Sequence, residues 1–158
     1  MHTLNILLVD DDRNLVTTLS YGLRKALGDG NSVAVSFSGT EALSLLGNQA
    51  FDVVVSDHNM PGPSGLEFLK RIRQDYREII LVLVTAYGTV ALEEGVRQLG
   101  GGYITKPFEP SSLVQLIRSL IQREETKGSS ENASRIMDKL GRPAGSSSGV
   151  DGTSLTAS

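Results

Sequence analysis

Three uninterrupted apolar stretches constrain this chain more than any other feature: Ile6-Leu7-Leu8-Val9, Val53-Val54-Val55 and Ile79 to Val84. A strand with one wet face alternates apolar and polar side chains. A strand covered on both faces reads as a continuous apolar run, as in a parallel sheet. Val33-Ala34-Val35-Ser36-Phe37 and Tyr103-Ile104-Thr105 are weaker strand signals whose polar content suits places nearer the sheet edges. Helix-periodic stretches fall between the strands. Leu15, Leu19, Leu23 and Leu27 mark the first, Ala42-Leu43 with Leu45-Leu46 the second, and Leu66, Leu69 and Ile72 the third. Leu92, Val96 and Leu99 mark a fourth, and Leu113, Leu116, Ile117, Leu120 and Ile121 follow the helical spacing of a fifth. Five strand–helix pairs in strict alternation imply right-handed crossovers and a parallel sheet covered on both faces. The predicted fold class is α/β, a three-layer sandwich.

Composition narrows the function classes. At 158 residues the chain fits one domain with a tail. It contains no cysteine, which excludes disulfide scaffolds, thiolate metal sites and cysteine nucleophiles. The longest apolar run is far short of the ~20 residues that span a bilayer. The N-terminus has no basic stretch and runs straight into Asp10-Asp11-Asp12, so no secretory signal and no membrane association are expected. A net charge of −3 and a pI near 5.4 argue against a dedicated nucleic-acid surface. A soluble, cytoplasmic protein is expected. After Glu125 the sequence turns rich in Ser and Gly, which predicts a domain over 1–125 and a disordered tail over 126–158. Asn132 to Leu140 could form a helix with Ile136, Met137 and Leu140 on one face, too short to persist alone in water.

The acids fall in an informative place. Asp10, Asp11 and Asp12 follow the first strand and Asp57 ends the third, and in open α/β sheets ligands bind outside the carboxyl ends of the strands. If those strands are neighbours, three or four carboxylates converge. Such a cluster calls for a cation or raised pKa values, and an all-oxygen set is what Mg²⁺ prefers. An Asp immediately before a helix is often an N-cap, a role open to Asp12. Asp57 precedes the loop His58-Asn59-Met60-Pro61-Gly62, where no cap is needed. Thr85 and Lys106 stand at the ends of the fourth and fifth strands, where a hydroxyl and an ammonium would face an oxyanion.

Four ordered motifs over residues 4–123 resemble the receiver domains of bacterial two-component response regulators. They are Ile6 to Asp12, Ser56 to Gly62 with Gly65-Leu66, Val84-Thr85-Ala86-Tyr87-Gly88, and Tyr103-Ile104-Thr105-Lys106-Pro107-Phe108. The resemblance implies a flavodoxin-like, doubly wound five-stranded sheet of order 2-1-3-4-5. It implies Asp57 as phosphoacceptor, charged by a sensor histidine kinase or a phosphotransfer protein. It implies Mg²⁺ held by Asp10, Asp11, Asp57 and the backbone carbonyl of Asn59. It gives Thr85 and Lys106 the phosphoryl oxygens, makes Thr85 and Tyr103 the switch pair, and implies a cis Lys106-Pro107 peptide. The switched face would lie on the fourth helix, fifth strand and fifth helix, controlling a downstream protein or a second copy of the chain. The chain would then be a signalling phosphoacceptor that assists its own phosphorylation and dephosphorylation, rather than an enzyme.

Some residues depart from that pattern. Leu99-Gly100-Gly101-Gly102 is short and glycine-rich, which predicts a flexible approach to Tyr103. His58 could tune access of water to the phosphoacceptor or be an ordinary loop residue. Two other functions compete. One is a docking module that is never phosphorylated. The other is a phosphatase resembling the haloacid dehalogenases with Asp10 as nucleophile, which leaves Asp57 without a role. Residues 124–158 are too few and too polar for a helix-turn-helix output module, so the chain is either a stand-alone receiver or part of something longer.

Overall fold

The structure is a computed structural model that describes residues 3–139, with the side chains of 129–135 and 137–139 left aside. Strands and helices alternate as β1 (Asn5–Val9), α1 (Arg13–Leu27), β2 (Ser32–Ser36), α2 (Gly39–Asn48) and β3 (Val53–Asp57). They continue as α3 (Gly65–Asp75), β4 (Ile80–Thr85), α4 (Val90–Gln98), β5 (Gly102–Thr105) and α5 (Pro110–Lys139). All pairings are parallel and the order is β2-β1-β3-β4-β5, so the α/β architecture and strand order expected above are observed.

The apolar runs fill both faces of the sheet by simple alternation. Ile6, Leu8, Val53, Val55, Val82 and Val84 point to one side, where Val16 and Leu23 of α1 and Leu113, Ile117 and Leu120 of α5 cover them. Leu7, Val9, Val54, Leu81 and Leu83 point to the other, against Ala42 and Leu46 of α2, Phe68, Leu69 and Ile72 of α3, and Val96 of α4. Each fully buried Val or Leu contributes ~1.5–3 kcal/mol by removal from water, and β3 and β4 are buried along their whole length. Four helices open on a side-chain cap from Asp12, Ser38, Ser64 or Thr89, each accepting the N–H three residues on. Pro110 opens α5, where a missing N–H is harmless.

Three expectations change. Leu15, periodic with the buried stripe of α1, is 41% exposed. The glycine-rich approach to β5 is tied down: Gly101 donates to the Val96 carbonyl at 2.9 Å, and Gly101 and Gly102 are buried. The tail expected to be disordered from residue 126 is corrected in part, because α5 runs on to Lys139. A helix already nucleated over 110–121 adds a hydrogen bond for each further residue, so the good formers Gln122 to Glu125 extend it cheaply. Compact packing divides the chain between Ile121 and Gln122. Residues 140–158, including Leu140, lie outside the described residues. No helix among the described residues is long and apolar enough to cross a membrane.

Candidate functional site

Sheet register explains why distant acids meet. Val9 of β1 pairs with Ser56 of β3, so Asp10 and Asp57, each one residue further on, leave adjacent strands side by side. Asp57 pairs with Val84 of β4, and Thr85 with Thr105 of β5. Lys106, next after Thr105, donates its N–H to the Thr85 carbonyl at 2.8 Å and follows β5 at the same edge. Four neighbouring strands thus deliver Asp10, Asp57, Thr85 and Lys106 to one rim.

The charged groups are in contact. The Lys106 ammonium lies 2.8 Å from Asp57 Oδ1 and 3.3 Å from Asp10 Oδ2. Asp10 and Asp57 are buried and Asp11 is exposed, and one carboxylate oxygen from each lies within 4.8 Å of the others. Burial pushes the Asp10 carboxyl above its usual range and the neighbouring Asp57 charge adds to this, against the Asp12 N–H and Lys106, which pull it down. Burial disfavours the Lys106 charge, but its hydrogen bond to Asp57 and the two carboxylate charges prevail and hold its pKa above the ordinary value. Three carboxylates facing one ammonium leave an excess of negative charge. Oxygen-only donors with an open side at Asp11 fit Mg²⁺, with its preference for one or two carboxylates plus waters.

The remaining residues occupy distinct roles. Asp12 turns away from the cluster to cap α1, its Oδ1 accepting the Leu15 N–H at 3.0 Å, while its own N–H orients Asp10 Oδ1 at 3.0 Å. Asn59 is exposed in the β3–α3 loop, two residues past Asp57. His58 is half-buried and holds that loop: its carbonyl accepts from Gly65 at 2.8 Å, and its Nδ1 accepts from Leu66 at 3.4 Å. Thr85 is fully buried, and its hydroxyl oxygen accepts the Tyr87 N–H at 3.2 Å. Lys106-Pro107 is cis.

Tyr103 has turned toward the β4–α4 loop. Its hydroxyl is buried without a hydrogen-bond partner among the described residues. It rests over Gly88 so closely that a β-carbon there would collide with the phenol oxygen, and would stand 3.0 Å from Cζ. Glycine at 88 therefore makes room for the ring. Sequence reading missed this slot, and it also missed the apolar wall beside Asp57 formed by Leu15, Pro107 and Phe108. The one available signal was the apolar Pro107-Phe108 in a loop that should be polar.

Comparison with known proteins gives the family and the fold. Residues 6–118 match the response regulator receiver domain profile. The chain is 43% identical over 113 residues to the response regulator protein FleR of Pseudomonas aeruginosa, covering 71% of this chain and 23% of FleR. It is 34% identical over 120 residues to the DNA-binding response regulator MtrA of Mycobacterium tuberculosis, covering 76% of this chain and 51% of MtrA. The chain thus spans a quarter to a half of these relatives. The chemotaxis protein CheY4 of Vibrio cholerae superposes with a TM-score of 0.68 at 29% identity, covering 75% of this chain and 99% of that one. A CheY-like receiver from Methanospirillum hungatei shares the fold with a TM-score of 0.71 at 24% identity, covering 80% and 99%.

Proposed function

The chain belongs to the response regulator receiver family of two-component signalling, and from that premise we propose that it accepts a phosphoryl group on Asp57 and uses it to switch the surface around α4 and β5. The observation that carries this reading is the buried Asp57 carboxylate, met at 2.8 Å by Lys106 and within 4.8 Å of Asp10 and Asp11. An Asp57 oxygen attacks phosphorus, the P–N bond of a donor phosphohistidine breaks, and the imidazole leaves. Little covalent activation is needed; positioning and neutralisation of charge dominate such transfers. Asp10, Asp11, Asp57 and the Asn59 carbonyl would hold Mg²⁺, whose bound charge offsets that of the incoming phosphoryl group. Lys106 keeps its charge at neutral pH and is placed to pair with a phosphoryl oxygen. Thr85 exchanges its hydrogen bond with Tyr87 for one to another such oxygen.

Output follows from the chain's own connections. Tyr87 and Gly88 lie in one loop, so withdrawing the Thr85 hydroxyl from Tyr87 also disturbs the Gly88 slot that receives Tyr103. Two arrangements of this face with different partner affinities are what a switch requires. The donor is a sensor histidine kinase or phosphotransfer protein, and the target a protein surface or a second copy of the chain, in the cytoplasm. MtrA, named a DNA-binding response regulator, is about twice the length matched here, and the matched domain has no dedicated basic surface, so we assign no DNA contact to it.

The test is intact mass after incubation with Mg²⁺ and acetyl phosphate, with and without chelator. One phosphoryl group, dependent on Mg²⁺, mapped to Asp57 and absent from a folded Asp57→Asn variant, is the expected result. Labelling of Asp57→Asn would overturn the assignment. No labelling by any donor or kinase would favour the unphosphorylated docking module, and labelling at Asp10 the phosphatase.

A further inference from the structure

An apolar cavity of about 290 Å³ opens directly beside the acidic cluster. Asp10, Asp57 and Lys106, in contact with one another, line one part of it, and Leu8, Val55 and Val84 of the sheet line it as well. Its walls are Leu15, Val16 and Leu19 of α1 and Pro107, Phe108 and Pro110 after β5. That is about twice the ~150 Å³ of an apolar cavity that stays dry and holds benzene. Two observations show that it is built in. Leu15 breaks the buried stripe of α1 and is left 41% exposed at the mouth. Pro110 abuts α1 so closely that a β-carbon on Gly22 would stand 2.6 Å from its Cγ, which fixes the wall of α1 against the start of α5. The gap above that contact cannot close by a simple approach of the two elements.

We propose that this cavity is an acyl subsite, so that among small acyl phosphates the protein prefers as donor an acyl chain of about four to seven carbons over acetyl. The inference rests on the phosphoacceptor reading of Asp57. It commits to this occupant because the charged and apolar parts of the lining differ as the two ends of an acyl phosphate do. The anionic phosphoryl group belongs with Lys106 at Asp57, and the hydrocarbon belongs against Leu15, Leu19 and Phe108. In the step, an Asp57 carboxylate oxygen forms a bond to phosphorus and the bond from phosphorus to the acyl oxygen breaks. The electron pair leaves with the fatty carboxylate, and no redox partner is involved. Since the chain is held by apolar walls, each added methylene that is fully buried raises the second-order rate constant about fourfold. Butyryl phosphate, with partial burial of its two extra methylenes, should then label Asp57 about tenfold faster than acetyl phosphate.

Two measurements test this. Labelling rates for acetyl, butyryl and hexanoyl phosphate at limiting donor and fixed Mg²⁺ should rise with chain length. Leu15→Trp and Thr18→Phe, both at accessible positions lining the cavity, should bring the butyryl-to-acetyl ratio close to one. Independently of turnover, n-pentylphosphonate should bind at least tenfold more tightly than methylphosphonate and shift the methyl resonances of Leu15 and Leu19. Equal rates for all acyl phosphates, or a chain-length preference that survives both variants, would overturn the subsite and leave the phosphoacceptor reading intact. Failure of every acyl phosphate to label Asp57, with no phosphonate bound, would overturn the subsite, and failure of every kinase and phosphotransfer protein as well would overturn the phosphoacceptor reading.

Discussion

Replacing Lys106 by Met tests whether one ammonium holds the acidic rim together. The side chain keeps its length and loses its charge. At 2.8 Å and 3.3 Å the two ion pairs amount to about 6 and about 5 kcal/mol of direct attraction at an effective dielectric of 20, an upper bound before desolvation is subtracted. Truncating one partner of a buried pair costs ~3–5 kcal/mol, whereas exposed pairs contribute ~0–1 kcal/mol. Lys106 is 25% exposed and its partners are 7% and 11% exposed, between those limits but nearer the buried one. We expect Lys106→Met to lower stability by about 2 kcal/mol at pH 7 in chelator, read from urea unfolding. In an Asp10→Asn background, where the lysine has lost one of its two partners, the same change should cost about half as much.

The pH dependence supplies a second check. Both folded-state pKa values are raised. The Lys106 contribution is therefore present below its unfolded value of 10.5 and is lost as pH rises through the higher folded value. The Asp10 contribution is fully present below 3.8 and disappears as pH rises through its raised folded value, because ionising a desolvated carboxyl beside Asp57 is unfavourable. Without Lys106 that penalty grows, so the deficit of Lys106→Met should shrink on going from pH 7 toward acid. A deficit under about 0.5 kcal/mol at pH 7, or one independent of pH, would refute Lys106 as the counter-charge of the rim.

Two further variants separate neighbouring roles. Asp12→Ala should cost about 1 kcal/mol in urea unfolding through loss of the α1 cap, with Mg²⁺ affinity within twofold of the parent by titration calorimetry, whereas Asp11→Ala should weaken Mg²⁺ without loss of stability. Tyr103→Phe removes a buried hydroxyl that has no partner among the described residues and should raise thermal stability by about 1 kcal/mol; Gly88→Ala should lower it, and Tyr103→Phe should reduce that loss, because the phenol oxygen is the first atom the new methyl meets.

What could be read from the sequence, and what could not, follows the range of the interactions. The strands announced themselves because burial on both faces forbids polar alternation, and Val53 to Val55 and Ile80 to Val84 obey that rule without exception. Asp57 was legible because a carboxylate ending such a strand with no helix to cap has little other use, and Asp12 was legible as a cap for the converse reason. What brings Asp10 within reach of Lys106, 96 positions later, is the pairing of β1 with β3 and the single-step register carried through β4 to β5. No local pattern contains that register, so the sequence reading had to take the strand order from a resemblance.

The features it missed are of another kind. Leu15 has the periodicity of a core residue, yet it is exposed and lines the cavity that α1 shares with Pro107 and Phe108. Gly88 reads as loop punctuation until a tyrosine ring from the next strand is found against it. Tyr103 is picked out only by the resemblance, and nothing local in the sequence says that its hydroxyl is buried with no hydrogen-bond partner among the described residues. Each of these is a small packing defect set beside a well-packed sheet: a cavity, a missing β-carbon and an unsatisfied oxygen. A uniform core would have one lowest-energy arrangement for the ring and the β4–α4 loop. A buried hydroxyl without a partner among the described residues weakens the observed arrangement by about 1–3 kcal/mol, and on the proposed reading a phosphoryl group at Asp57 and its hydrogen bonds would have to supply only the remainder to favour a second arrangement. On that reading these positions are where a signal at the strand ends would be converted into a change of surface, and composition and periodicity, which report average burial, pass over them.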